Sequence, residues 1–304
     1  MQKSNPPAGE PKLVVILGPT ASGKTSLSLK LAKKFNGEIV SADSRAIYKG
    51  LNIGSAKPTK KEMAGIPHHL IDVVPPNKTL TLAQYKKLAL AQIRYIASHE
   101  RVPFLVGGTA LYIYSVIDNW LIPEVSPNKK LRAKLEKLSA EKLYEKLVKK
   151  DPEAKKFVDP KNKRRIVRAL EVIAATGKPF SQQREKGPKL FDVLILGIKK
   201  SPKETKKIIV KRTRQMLKAG LVAEVKNLLK KGYSPKSPAL SGIHYKEIIE
   251  YLNKKISLPE AVSLINKNDE QLVRRQMQWF KKDSRIRWIK SQKEAEKLVK
   301  TFLK

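Results

Sequence analysis

The stretch LVVILGPTASGKT, residues 13–25, decides the fold. Residues 13–17 are five apolar, mostly β-branched side chains in a row, the pattern of a strand buried on both faces of a parallel sheet. Residues 18–25 follow the spacing G-x-x-x-x-G-K-[ST]. Residues 26–35 then place Leu27, Leu31 and Phe35 at helical spacing. A strand, a glycine loop and a helix in that order make a phosphate cradle. Gly18 and Gly23 let the backbone from Pro19 through Thr20 and Ala21 to Ser22 curl, so that successive N–H groups face an anion at a helix N-terminus. Lys24 supplies a point charge, and the Thr25 hydroxyl can ligate Mg²⁺. The loop names a phosphate chain, not a reaction.

Further strands extend this unit. Residues 39–41 form a short strand candidate ending in Ala42, Asp43 and Ser44. Ligands of open α/β sheets sit outside the carboxyl ends of the strands, which places Asp43 beside the loop. There it can hold magnesium through water, act as a general base, or simply close a turn. Thr81 and Gln84 have capping-box spacing and open a helix to about Ser98. Residues 103–106 give another strand, closed by Gly107, Gly108 and Thr109, a third loop on the same rim. Helical segments near 130–150 and 162–176 follow, the second stopping at Gly177, before a strand at 191–198 returns to the sheet. One long helix from Ser201 to near Gly232 is expected next, then helices at 245–254, 258–266 and 268–282, and a short strand at 287–289. The fold class is α/β: a P-loop NTPase-like core with a parallel sheet flanked by helices, over 12–120 and 189–304. An all-helical insertion occupies 121–188, and 1–11 is expected to be flexible.

The 304 residues carry 64 Lys and Arg against 27 Asp and Glu, a net charge of +37. That excess exceeds what solubility requires and suits a polyanion or an anionic surface. It is uneven: residues 1–120 hold 16 basic and 7 acidic side chains, residues 121–304 hold 48 and 20. No cysteine is present, which excludes disulfides, thiolate metal sites and thiol catalysis, and a cytoplasmic protein is expected. The polar first dozen residues do not read as a signal peptide, and the longest clean apolar run falls far short of the ~20 residues that span a bilayer, so no membrane role is expected. His68 and His69 read as loop residues rather than a metal site. Trp279 and Trp288 read as core packing.

The segments GPTASGKT (18–25), SADSRAIYKGLNIGSAKP (41–58), PHHLIDV (67–73), LVGGTALYI (105–113), RIVRALEV (165–172) and RRQMQWF (274–280) together resemble the tRNA dimethylallyltransferase family. The resemblance runs in order from about Leu13 to Trp288. It implies transfer of a dimethylallyl group from dimethylallyl diphosphate to N6 of the adenosine 3′ of the anticodon, with release of diphosphate. It further implies that Asp43 is the general base for the amine, that Thr25 binds Mg²⁺, and that Lys24 and Arg212 hold the diphosphate. Residues 18–25 correspond to the donor loop. Ser44, Arg45, Ala46, Thr109, Arg132, Arg164, Arg165, Arg168, His244, Tyr245, Arg274, Arg275 and Gln278 correspond to positions facing the tRNA anticodon stem-loop. A monomer is suggested. Two helical stripes support RNA contact independently: Lys161, Arg164 and Arg168 oppose Ile166, Leu170 and Ile173, and Arg274, Gln278, Lys281 and Arg285 oppose Val273, Met277 and Phe280.

The sequence departs from the family pattern at several points. Ala46 stands where Gln is usual, His244 where Gly precedes the tyrosine, Ala110 where Gly follows the third-loop threonine, Gln278 where Thr is usual, and Glu270 where a basic residue is usual. Two other classes account for part of the sequence. A small-molecule P-loop kinase explains the loop and Asp43 but not the basic insertion. A non-catalytic RNA-binding P-loop protein explains the charge but leaves the loop unused. Prenylation of free adenine nucleotides is a near variant, which the basic insertion disfavours.

Overall fold

The computed structural model describes residues 10–183 and 185–304. Nine positions of the 1–11 segment expected to be flexible lie outside the described residues. The first half of the chain forms β1 (Lys12–Leu17), α1 (Lys24–Lys34), β2 (Gly37–Ala42), α2 (Lys60–Met63), β3 (His68–His69), α3 (Leu82–Ser98), β4 (Val102–Gly107) and α4 (Ala110–Ile117). Then come α5 (Lys129–Glu136), α6 (Ala140–Lys150) and α7 (Lys163–Thr176). The chain ends with β5 (Asp192–Gly197), α8 (Pro202–Lys218), α9 (Leu221–Lys230), α10 (Tyr245–Leu252), α11 (Leu258–Phe280), β6 (Arg287–Trp288) and α12 (Gln292–Leu303). Two compact units result: Leu190–Lys304 together with the chain up to Ile117, and Asp118–Lys189.

In the first unit six strands pair in the order β3-β2-β4-β1-β5-β6, all parallel. Leu13, Val14, Val15, Ile16 and Leu17 are fully buried, as a central parallel strand requires. Val14, Ile16, Leu31, Phe104 and Leu196 share one core with Ala295 and Val299 of α12. Register matters more than length here. Leu17 pairs with both Gly107 and Gly197, and Ala42 pairs with Gly107, so four strands end at one level. A Cβ on Gly107 would lie 2.1 Å from the Ala42 carbonyl oxygen, so only glycine lets these ends close up.

The second unit packs α5, α6 and α7 around Leu143, Leu147, Ile166, Ala169 and Leu170. Asn128, Ser139 and Asn162 cap its helices, each accepting a backbone N–H of the first turn.

The structure corrects several boundaries. The helix expected over 130–150 is broken, because Ser139 starts a new one. The long helix expected from Ser201 ends at Lys218: Gly220 takes φ 98° and begins α9. The helices expected at 258–266 and 268–282 are one continuous α11. At the expected break two side chains turn toward neighbouring helices, the Asn266 Oδ1 accepting from Thr213 (2.7 Å) and Asn268 donating to Glu247 (2.7 Å). His68 and His69 form an edge strand rather than a loop. His69 Nε2 lies 2.6 Å from Glu38, which also pairs with Arg101. The described residues contain no cluster of three His, Cys, Asp or Glu able to hold a metal, and no helix among them is long and apolar enough to cross a membrane.

Candidate active site

The loop at residues 18–25 leaves β1 and turns over the N-terminus of α1. Gly23 takes φ 94° and Ala21 φ 62°, both in the left-handed region. A Cβ on Gly18 would lie 2.4 Å from the Ile198 carbonyl oxygen. No side chain caps α1 at Gly23, so the first N–H groups of the helix stay available to an anion. Lys24 Nζ folds back to donate to the Pro19 carbonyl (2.7 Å). Burial lowers the Lys24 pKa to about 8; Asp43 pulls it up, and the neighbouring Arg212 adds to the lowering. The Ser22 hydroxyl is buried within the loop with no partner.

Asp43 follows β2 at the same rim. Its Oδ1 accepts from the backbone N–H groups of Arg45 (2.7 Å) and Ala46 (3.3 Å), so the turn reading of this residue is realised. Asp43 lines the cleft, and both of these bonds fall on Oδ1, which leaves Oδ2 for chemistry. Thr109, beyond β4, accepts from the Ser44 N–H (3.1 Å) and fixes this turn.

Two helices distant in sequence complete the site. Arg212 of α8 donates through Nη1 to Thr20 Oγ1 (2.7 Å) and through Nη2 to Asp269 Oδ2 of α11 (2.7 Å). Gln276 of α11 accepts from the Thr20 N–H (2.9 Å) and donates to the Gly108 carbonyl (2.9 Å), bridging the first and third loops. These groups line a cleft of about 450 Å³ that contains Lys24, Asp43, Thr109, Arg212 and Arg275. Trp279 and Leu111 line the same cleft and are 41% and 45% exposed. The core reading of Trp279 is therefore corrected: it offers an aromatic face to the cleft, backed by Tyr114 with ring centroids 6.0 Å apart. A cavity of about 80 Å³ beside Lys24, Thr25 and Asp43, and one of about 700 Å³ lined by Thr25, Lys30, Met216 and Arg212, adjoin it.

One loop is clamped over the site. Glu224 of α9 accepts from the backbone N–H groups of Asn52 (3.0 Å), Ile53 (2.8 Å) and Gly54 (3.1 Å), and from the Tyr245 hydroxyl (2.7 Å). Burial first, then the Glu224 charge, drives the Tyr245 pKa far up, so the phenol stays a donor. Lys57 reaches across to Asp72 (2.6 Å) and the Tyr48 carbonyl (2.8 Å). Gly54, Ser55 and Ala56, held this way, form one wall of the cleft.

A family profile described as IPP transferase matches residues 46–283. The chain belongs to the IPP transferase family. A tRNA dimethylallyltransferase of Roseiflexus sp. is 44% identical over 274 residues, 89% of this chain and 90% of the relative. The full-length tRNA isopentenylpyrophosphate transferase of Bacillus halodurans superposes with a TM-score of 0.73 at 34% identity, over 96% of each chain. A eukaryotic dimethylallyltransferase acting on tRNA superposes with a TM-score of 0.77 at 29% identity, over 88% of this chain and 69% of that one.

Within this IPP transferase family member, several residues expected on RNA are committed internally. Ala46 and Tyr245 are buried. Arg45 donates to the carbonyls of Pro238 (2.7 Å) and Ala239 (3.3 Å). Buried His244 lies 3.2 Å from Asp269. Arg132 forks onto Glu171 through Nε (2.9 Å) and Nη2 (2.8 Å), and Arg168 joins it (2.7 Å). Arg285 pairs with Asp283. Arg164, Arg274, Arg275 and Gln278 are exposed, and Arg165 is half-buried. On α8, Lys203, Lys206, Lys207, Lys211, Arg214 and Lys218 line one open groove.

The donor set suits a small hard cation. Thr25 and Asp43 line one cavity. Mg²⁺ favours such a site, with one or two protein oxygens and the rest from phosphate and water. Asp269, Gln276 and Glu224 escaped the sequence reading. Gln276 lies inside RRQMQWF, but nothing local marks it as a bridge between loops 168 and 256 residues away.

Proposed function

We propose that this protein transfers a dimethylallyl group from dimethylallyl diphosphate to N6 of the tRNA adenosine immediately 3′ of the anticodon. The observation that carries the reading is the meeting, in one cleft, of an anion-ready loop, the Lys24 and Arg212 cations and the Asp43 carboxylate. The family membership supplies the reaction class.

The residues divide the work by chemistry. Open N–H groups of residues 18–25, with Lys24 and Arg212, hold the diphosphate and stabilise the charge that grows on it as the allylic C–O bond breaks. Arg212 is fixed by Thr20 and Asp269 before any ligand binds, so little reorganisation accompanies the reaction. The amine nitrogen forms the new C–N bond, and Asp43 Oδ2 accepts the proton it loses. A divalent ion, when bound at Thr25, adds Lewis-acid neutralisation of the diphosphate. The base must leave its stack to enter the cleft, and an unpaired anticodon loop makes that inexpensive. Trp279 presents a flat apolar surface for it. Exposed Arg164, Arg274 and Arg275 supply phosphate contacts that position the RNA without reading its sequence.

Labelled dimethylallyl diphosphate, Mg²⁺ and unmodified tRNA test this directly. Label should enter the tRNA, and Asp43→Asn should lower turnover by about 10²- to 10⁴-fold with tRNA binding unchanged. Label found on free adenine nucleotides and not on tRNA would overturn the assignment.

A further inference from the structure

His244 stands at the N-terminus of α10, just before Tyr245, and its backbone is unusual for a residue with a side chain. It takes φ 77° and ψ −44°, a tight-turn conformation open to glycine and strained for a side chain. A buried histidine at such a position calls for a compensating contact. The imidazole supplies one: Nε2 lies 3.2 Å from Asp269 Oδ2, the same oxygen that accepts from Arg212 Nη2 at 2.7 Å. Arg212 in turn holds Thr20 of the phosphate loop. The side chains thus form a line: His244, Asp269, Arg212, Thr20.

Asp269 is held on one side only. Its Oδ1 and the Arg212 Nε are both buried without a partner among the described residues. Two donors therefore converge on Oδ2 while Oδ1 is left bare. Burial works to raise the Asp269 pKa; the hydrogen bonds and charges of His244 and Arg212 outweigh it and keep the carboxyl below its usual range. Without the imidazole, a buried carboxylate would face Arg212 alone and be free to rotate.

We infer that His244 is a positioning residue for the diphosphate: it fixes the rotamer of Asp269, which sets the direction in which Arg212 presents its guanidinium to the donor. The inference rests on the proposed function, in which Arg212 meets the diphosphate. It gives the histidine a role that its strained backbone alone does not explain.

The test separates fold from site. His244→Gly removes the imidazole and restores the residue the backbone conformation prefers. Thermal stability should hold or rise. The affinity for inorganic diphosphate, read by calorimetry, should fall by about fivefold, the scale of one coupled contact in a network. KM for dimethylallyl diphosphate should rise by the same factor, KM for tRNA should stay put, and millimolar imidazole should restore part of the loss. Asp269→Asn should show the same direction, and the double variant should lose no more than the worse single one. A His244→Gly protein at least as stable as the parent that binds diphosphate within a factor of two would overturn the inference, as would additive losses in the double variant. A fall in stability with diphosphate affinity intact would do the same. Failure of the parent protein itself to bind diphosphate would refute the proposed function instead.

Discussion

Each unit of the molecule buries a carboxylate against arginine, Glu171 in one and Asp269 in the other, and the two are finished differently. In the helical insertion, Glu171 accepts from the Asn128 N–H (2.6 Å), Arg132 and Arg168, so both oxygens are filled. Burial pushes its pKa up, but the two arginines and the Asn128 N–H hold it down at about 2. In the catalytic unit, Asp269 uses one oxygen for two donors and leaves the other bare. Satisfied on every side, Glu171 acts as a staple. Asp269 is half-satisfied and steers the arginine that faces the ligand. Proximity to arginine therefore does not distinguish a structural carboxylate from a functional one; the count of filled lone pairs does.

The contrast breaks down if the stability cost appears in the wrong place. Glu171→Ala strands two arginines and should destabilise the insertion by about 3–5 kcal/mol, read as loss of amide-exchange protection confined to α5 to α7. Arg212→Ala leaves the buried Asp269 with His244 alone, so its loss of protection should fall on α8, α10 and α11 and spare α5 to α7, while turnover drops by about 10²- to 10³-fold, some 3–4 kcal/mol of transition-state stabilisation. Loss of protection over the same helices from both would erase the distinction.

Titration sharpens it. The Glu171 carboxyl is depressed in the folded protein, so its contribution to stability is present above its unfolded value near 4.3 and is lost as pH falls toward about 2. Acid should melt the insertion through that window. Lys24 runs the other way. Its pKa is lowered to about 8, so the ligand-free fold gains stability as pH rises from there toward the unfolded value near 10.4. Diphosphate binding should weaken over the same range, with proton uptake visible when calorimetry is repeated in buffers of different ionisation enthalpy. The smallest expected effect separates two neighbours on one helix. Arg164→Ala should reduce the salt dependence of tRNA binding by about one unit of slope, whereas Arg168→Ala should act chiefly through stability.

Local signals carried most of the fold. The strand at 13–17, the loop at 18–25 and the capping boxes at Thr81 and Ser201 stand where residue order alone puts them. Each depends on neighbours within a few positions. The failures share a cause too. Asn266, Asn268 and Asp269 look like a break because polar runs usually face water, yet here their partners come from α8 and α10. Arg132 and Arg168 read as RNA ligands, and nothing in their own spacing shows that both also pair with buried Glu171. Gly220 looks tolerable inside a helix until its φ of 98° ends one. Polar partners brought together by tertiary packing leave no periodic trace.

The Gln276 bridge has a consequence for how the protein is made. Thr20 leaves the ribosome before α11, and the amide that holds it is 256 positions later. Arg212, its other partner, is 192 positions later. Strands β1 to β5 can pair before the donor loop is braced, while α12 closes the core later still. A nascent chain stalled between β5 and α11 should therefore resist protease across β1 and β4 yet fail to bind diphosphate. Strand pairing and competence are separate events in the life of this chain, and the second waits for α11.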